Sequence, residues 1–448
     1  MSRGRIVPSL LLILLLVAPY STPSHVALEM NTISLIDEGN TTSELNRSTL
    51  LASLPVWEIG DSWTYAVSLY PTRLIEDQDT VEGASLDVLT GLATRTVADI
   101  YFPVDGNGTS PEYILTTTLG ASGTGVFPQG PVDLSGDLII NMVETMRVRV
   151  SDLAIIYVSR IFDMDFSAGP VQLDMAEVIE NTSFSPAYEY HDFPIRESDI
   201  HFLSIERTMT WEGEGLVEFP GSTEVNITER ETLPAKIVDQ SLLSFPCNSG
   251  AVLISEIASD GILVEEHHYC PDVKNDIYWY TEDIGLNGVK GSFTLISYSM
   301  AGASPGSDPP SKVIIELESN DLGKNVPVNV TIRTQSSDGT PLSRTIHVYT
   351  MDEMIESSTS NGEITLSINS TNLSDSTVSV DDWSSHAIVA CIGPDSTTLT
   401  YTACGASEIT IQGSAMGAKI RGEMISDFVT IIDDFGRSSE QASRLIRL

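Results

Sequence analysis

Val171-Gln172-Leu173-Asp174-Met175 and Leu203-Ser204-Ile205-Glu206-Arg207-Thr208-Met209-Thr210-Trp211 set the period of this chain. In the first stretch Val171, Leu173 and Met175 share one side while Gln172 and Asp174 take the other. In the second, Leu203, Ile205, Met209 and Trp211 repeat the pattern. A repeat of two marks a half-buried antiparallel strand, because successive side chains leave opposite faces of the pleat. The pattern recurs from Leu54 to Met300, broken by Gly120 to Gly125 and Gly213-Glu214-Gly215, which read as turns. No long stretch keeps a 3.6-residue period, and Leu138 to Met146 is the best helix candidate. The fold class is all-β, with an antiparallel β-rich domain over 54–300.

Outward from that block the composition changes twice. Ala301 to Ser311 holds Gly302, Pro305, Gly306, Pro309 and Pro310, a Pro/Gly linker over 301–311. Strands resume after it: Val326, Val328, Val330 and Ile332 alternate with Pro327, Asn329, Thr331 and Arg333, and Ile364, Leu366 and Ile368 follow suit. Asp338-Gly339 and Asn361-Gly362 are hairpin dipeptides. Residues 312–448 therefore read as one β-sandwich, with a helical last segment from Ser438. At the other end, Arg3 and Arg5 precede an apolar run from Leu10 to Val17 and small residues ending near Ser24. That order is a secretory signal peptide over 1–24, with cleavage after Ser24. A flexible Ser/Thr/Asn-rich segment, 25–53, comes next. No later run is long and apolar enough to span a bilayer, so the mature chain is expected to be secreted, extracellular or held at the cell surface.

The charge fits an exterior life. With 62 acidic and 23 basic residues the formal net charge is −39, which repels nucleic acid and anionic lipid. Acids are spread through all regions as a solvated shell, which suits either a salty exterior or plain solubility. The four cysteines fall as two local pairs, Cys247 with Cys270 and Cys391 with Cys404. In an exported chain these read as disulfides, and local pairing is expected among the three connectivities that four cysteines allow. Eight sequons, at Asn40, Asn46, Asn107, Asn181, Asn226, Asn329, Asn369 and Asn372, are glycosylation candidates.

Trp57-Glu58-Ile59-Gly60-Asp61-Ser62-Trp63-Thr64-Tyr65 resembles the W-x-x-G-D-x-W-x-Y opening of secreted β-domains of archaeal and bacterial surface proteins. Their closing strands read like Tyr278-Trp279-Tyr280-Thr281-Glu282-Asp283-Ile284-Gly285 followed by Val289-Lys290, so the two ends bracket almost all of 54–300. Asp192-Phe193-Pro194-Ile195 looks like a degraded second opening, which divides the domain into related halves, 54–185 and 186–300. The resemblance implies a fold and no chemistry. Some members look distantly like lipoprotein carriers, whose curved sheet holds acyl chains. Asp338 to Leu342, with Ser358 to Gly362, is similar to immunoglobulin-like modules of adhesins, which implies an immunoglobulin-like sandwich after the linker.

Each candidate for chemistry has a plainer reading beside it. Gly302-Ala303-Ser304-Pro305-Gly306 satisfies the formula of a nucleophile elbow, but Pro305 removes an N–H the oxyanion hole needs, and a linker explains it better. Glu265-Glu266-His267-His268-Tyr269-Cys270 groups possible metal ligands, yet adjacent histidines on a strand face opposite ways and cannot chelate one ion. The acidic pairs Asp163 with Asp165, Asp381-Asp382 and Asp433-Asp434 leave a structural calcium open. Asp105 to Thr109 departs from an EF-hand loop at Ser110 and at Thr116. Trp279 faces away from Tyr278 and Tyr280, and with Trp383 it invites sugar stacking, although core packing accounts for it. No paired Ser and His, phosphate-cradling loop or basic stripe is visible, so no catalytic residue or other cofactor is implied. The leading expectation is a non-enzymatic envelope protein in adhesion or surface structure, with cell-envelope proteins, glycans or a second copy as partner. The alternative is a carrier of a lipid or other apolar ligand, suggested by Leu153, Ile155, Ile156, Val158 and Ile161; a secreted hydrolase ranks last.

Overall fold

The computed structural model describes residues 49–71, 84–102, 110–129, 132–197, 200–215, 221–285, 289–301, 311–323, 326–350, 353–369, 383–394, 399–412, 421–425, 428–432 and 438–442. Twelve antiparallel strands form a barrel, each hydrogen-bonded to the next in chain order. They are β2 (Ser62–Tyr70), β4 (Leu89–Tyr101), β5 (Glu112–Gln129), β6 (Val132–Arg149), β7 (Ile155–Ala168), β8 (Val171–Tyr188), β10 (Phe202–Gly215), β11 (Ser222–Thr232), β13 (Val252–Ala258), β14 (Leu263–Cys270), β15 (Asn275–Thr281) and β16 (Lys290–Ser299). β16 returns to pair with β2. The short pieces β1 (Leu50–Ala52), β3 (Ser85–Leu86), β9 (Ile195–Arg196) and β12 (Lys236–Ile237) flank it.

Closure is uneven. β5 and β6 stay in register from Glu112↔Arg149 to Gln129↔Val132. The β11–β13 seam instead rests on Arg230↔Ala258, Glu231↔Ile257 and Thr232↔Glu256. Full closure removes the unpaired edges that would otherwise template aggregation.

The glycines read as turns lie inside strands: Gly120, Gly123 and Gly125 in β5, and Gly213 and Gly215 in β10. The reason is curvature. A Cβ on the cross-strand Gly91 would overlap the Gly120 carbonyl, so the tight approach of β4 to β5 needs bare backbone. Leu138 to Met146 is strand, not helix; inside β6 its buried residues Leu138, Ile140, Met142, Glu144 and Met146 keep a period of two. The division at 185/186 falls within β8, and residues from both sides of it belong to one core cluster.

After the barrel come β17 (Ser311–Leu317), β18 (Asp321–Leu322), β19 (Pro327–Ser336), β20 (Thr345–Thr350), β21 (Glu353–Ser358), β22 (Glu363–Asn369), β23 (Trp383–Ile392) and β24 (Ala403–Gln412). They make a three-stranded sheet, β17-β19-β22, and a five-stranded sheet, β18-β24-β23-β20-β21. The sheets share a core that includes Leu322, Val330, Ile332, Val348, Ile388 and Ile409. Asn361 and Gly362, with φ of 48° and 76°, make a tight turn closed by the Ser360–Glu363 bridge, where the chain passes from β21 in one sheet to β22 in the other. The sandwich stops at Gln412. β25 (Arg421–Ile425), β26 (Phe428–Ile432) and β27 (Ser438–Ala442) form a separate antiparallel sheet, so the segment from Ser438 begins as strand rather than helix.

The two parts are in direct contact. Tyr349, Val389 and Tyr401 belong to the barrel's core cluster, and Phe102 packs edge-on against Tyr401 at 5.9 Å. Arg196 forms an ion pair with Glu408. Within the segment 25–53 expected to be flexible, the described end is built into the fold: β1 pairs with β9, and Ala52 is buried. Both disulfides, Cys247–Cys270 and Cys391–Cys404, are formed as the local pairs.

Candidate functional site

The Trp57-to-Tyr65 motif packs into the core cluster and ties β2 and the segment before it to the connection between β14 and β15. Trp57 Nε1 donates to the Lys274 carbonyl at 2.7 Å, Trp63 Nε1 to the Val273 carbonyl at 2.8 Å, and the Tyr65 hydroxyl to the Asp276 carbonyl at 3.2 Å. Asp61 is buried and accepts from the Glu58 N–H at 2.8 Å and the Ala301 N–H at 2.7 Å. Gly60, at φ 96°, makes the turn that brings Asp61 into place. These contacts pin the first strand to the β14–β15 corner and the end of the last strand. The motif therefore works in closure rather than chemistry.

The barrel interior is not a plain apolar core. A cavity of about 240 Å³ is lined by apolar groups, among them Met142, Val158, Phe184, Ile205 and Trp279, and by ionised ones. On its wall Arg160 bridges two carboxylates: Nε donates to Glu144 at 2.8 Å and Nη1 to Glu180 at 2.8 Å. Arg95 Nη2 lies 3.7 Å from Glu144, and Thr117 Oγ1 donates to Glu144 at 3.0 Å. Burial alone would raise the Glu144 carboxyl, but the Arg160 and Arg95 guanidiniums outweigh it and hold the group below its usual value. Glu180 is raised: burial dominates, and its share of Arg160 is offset by nearby Asp283. Gly285, at φ 101°, leaves room for this pair, since a Cβ there would overlap the Arg160 and Glu180 side-chain ends.

Trp279 stacks on Phe293 with ring centroids 3.8 Å apart, and the Arg95 guanidinium lies 5.0 Å from the Trp279 ring centroid. The expected alternation along Tyr278-Trp279-Tyr280 holds, with Trp279 on the lumen wall. Trp383 opens β23 half-buried. Of the apolar run suggested for a carrier, Ile155 and Val158 line the cavity, whereas Ile161 points outward, 45% exposed.

A second buried chain of titratable groups runs along the wall. His191 Nε2 lies 3.0 Å from Asp276 Oδ1, and His267 Nδ1 lies 2.9 Å from Asp276 Oδ2. His267 Nε2 is 3.3 Å from Glu265, and the Tyr188 hydroxyl donates to Glu265 at 3.1 Å and to Glu256 at 2.6 Å. Burial works against the charged imidazole of His267, but Asp276 and Glu265 prevail and raise it to about 10. Asp276 is lowered: its burial is outweighed by the two imidazoles. As the strand period requires, His268 faces the other way and meets Glu266 at 3.3 Å.

Two further groupings appear. Asp163, Asp165 and the cross-strand Asp174 gather on the exposed outer face of β7 and β8. Ser384 Oγ and His386 Nε2 lie 2.6 Å apart on β23, a Ser–His contact that no motif announced, because residues two apart on a strand share a face. Asn226 and Asn329 are exposed, while Asn181 is half-buried and its amide oxygen accepts from the Tyr157 hydroxyl. Asn369 ends β22. Residues 1–48 with Asn40 and Asn46, the 103–109 segment with Asn107, the Gly302–Gly306 elbow formula with Ser304, Asn372, Asp381-Asp382 and Asp433-Asp434 lie outside the described residues.

No protein-family model matches this chain, and no curated protein does. Among solved structures, the chain is similar to a β-barrel-like protein of a domain of unknown function, DUF1849, from Brucella abortus. The identity is 7% and the TM-score 0.26, with 55% of this chain and 99% of that one covered.

Sequence reading missed Arg95, Glu144, Arg160, Glu180, His191 and Asp276. One signal was present: Arg95 between Ala93 and Val97, and Glu144 between Met142 and Met146, occupy the inward phase of otherwise apolar strand faces.

Proposed function

We propose that this chain is an exported binding protein whose barrel lumen holds a small ligand with an apolar body and a charged or polar end. The cavity carries the reading: about 240 Å³, walled by aromatic and aliphatic side chains on one part and by the Arg95–Glu144–Arg160–Glu180 network on another. Binding sites typically combine an apolar wall with a few placed polar groups, and this volume falls just below the usual range of about 300–1,000 Å³. A small or single-chain ligand fits better than a bulky lipid. Arg207, which faces Asp283 at 3.7 Å, and Arg230 line the cavity together with Glu265 and Asp276, so the wall offers groups of both signs to the polar end of a ligand. The signal-like opening segment and two formed disulfides support export.

Organic extraction of natively purified protein followed by mass spectrometry, and titration with straight-chain carboxylates of increasing length, test the reading. One ligand per chain and an optimum length support it. Absence of both a co-purified ligand and saturable carboxylate binding refutes it.

Adhesion through an immunoglobulin-like sandwich is the second reading. The two facing sheets favour it, whereas Cys391–Cys404 joins neighbouring strands of one sheet rather than linking the two. A non-catalytic role belongs to the same proposal. Labelling of Ser384 by a serine-directed fluorophosphonate, lost in Ser384→Ala, would overturn that part.

A further inference from the structure

We propose that His191, His267 and Asp276 form a binding site for one divalent transition-metal ion, of the zinc class, in the barrel wall. The inference does not require the lumen to hold an organic ligand.

The three side chains come from separate places: the segment after β8, the inward phase of β14 and the start of β15. They converge nonetheless, each offering a ligand atom within 4.8 Å of the others. Donors at about 2.0–2.2 Å from a common zinc ion are at most about 4.4 Å apart, so closure needs only a small swing of the imidazoles. All three side chains are at least 95% buried. Two imidazoles and one carboxylate are a recurring donor set for zinc and for ferrous iron.

Three features around the triad point the same way. The first is an outer contact: the other ring nitrogen of His267 faces Glu265 at 3.3 Å, the carboxylate–imidazole arrangement that orients metal-ligating histidines. Thr281 Oγ1 in turn donates to Glu265 at 3.2 Å. The second is the state of His191: its Nδ1 is buried without a hydrogen bond, so no second partner fixes the ring proton on Nε2, and its transfer to Nδ1 frees the Asp276-facing nitrogen for a cation. The third is charge. Asp276, Glu265 and Glu256 belong to one connected chain of hydrogen bonds with His191, His267, Tyr188 and Thr281. Asp276 and Glu265 thus set two carboxylates against the imidazoles, which favours a dication. His267 and Asp276 both reach the cavity lining, so a bound ion would keep a side open to the lumen.

The test uses the full chain, stripped with chelator and titrated calorimetrically with Zn²⁺, with Co²⁺ as a spectroscopic probe. The expected result is one tight equivalent and the visible absorption of Co²⁺ with nitrogen ligands. Asp276→Asn and His191→Gln should each weaken uptake at least about 10–100-fold. His268→Gln, on the outer face, and Asp165→Asn, in the exposed acidic trio, should leave it unchanged. Near-ultraviolet circular dichroism checks that each variant is folded; should Asp276→Asn unfold, His191→Gln decides. No saturable equivalent in the parent chain, or uptake unaffected by a folded His191→Gln variant, overturns the proposal. Loss of uptake in Asp165→Asn would place the ion on the outer surface and overturn it equally.

Discussion

Glu144→Ala is the sharpest probe of the barrel interior. The Glu144 side chain is 5% exposed and faces two guanidiniums, Arg160 at 2.8 Å and Arg95 at 3.7 Å. With an effective dielectric near 20, each contact is worth about 4 kcal/mol of Coulomb attraction, set against several kcal/mol for desolvating the carboxylate. Removing it leaves Arg160 with Glu180 alone and Arg95 with no carboxylate partner nearer than Asp276, and breaking a buried pair in this way costs about 3–5 kcal/mol. At roughly 2–4 °C per kcal/mol for a body of this size, the thermal midpoint should fall by about 6–20 °C, read by calorimetry at pH 7. Because the site is shielded, about 1 M salt should leave the difference unchanged. Glu363→Gln, which cuts the exposed Arg333–Glu363 pair, should barely move the midpoint. A fall of under about 2 °C for Glu144→Ala, or one that high salt abolishes, would mean that water reaches the pair and that the lumen is not the low-dielectric site argued above.

Other outcomes follow from the same geometry. Since the folded-state Glu144 carboxyl is lowered, its stabilisation is present above its unfolded value near 4.5 and is lost as pH falls below it; acid titration of Glu144→Gln should show a shallower loss of stability there than the parent. Gly285→Ala forces a Cβ into the Arg160 and Glu180 side-chain ends at a positive φ, and should lower stability by about 1–3 kcal/mol and weaken any lumen ligand, checked by denaturant melts and binding titration. Replacing Cys391 and Cys404 together by serine opens a loop with a sequence separation of 13 and should cost about 3 kcal/mol, read from the shift of the denaturation midpoint. Hydrogen exchange should be fastest at the β11–β13 seam and slowest along β5–β6, because three residue pairings hold the one and an eighteen-residue register the other. Equal protection at both would refute the seam as the weak point of the barrel.

The all-β class, the strand phases and the cysteine pairs were legible in the sequence because each is a local property. A period of two is written residue by residue, so the opposite facing of His267 and His268, and of Trp279 and its tyrosine neighbours, could be read directly. The glycines of β5 misled for the same reason: glycine is locally a turn former, and only the approach of β4 shows it serving curvature. Leu138 to Met146 misled because its polar inward residue, Glu144, breaks the apolar alternation, and only Arg160 and Arg95 on other strands make burial of a carboxylate tolerable. The lumen and both charged networks were decided by tertiary structure alone. Direct partners lie as far apart as His191 and Asp276, separated by 85 residues, and meet only because twelve strands close into a ring. Strand phase tells which side chains point inward; ring closure and register decide which of them meet, and those depend on pairings between distant segments that no local pattern encodes.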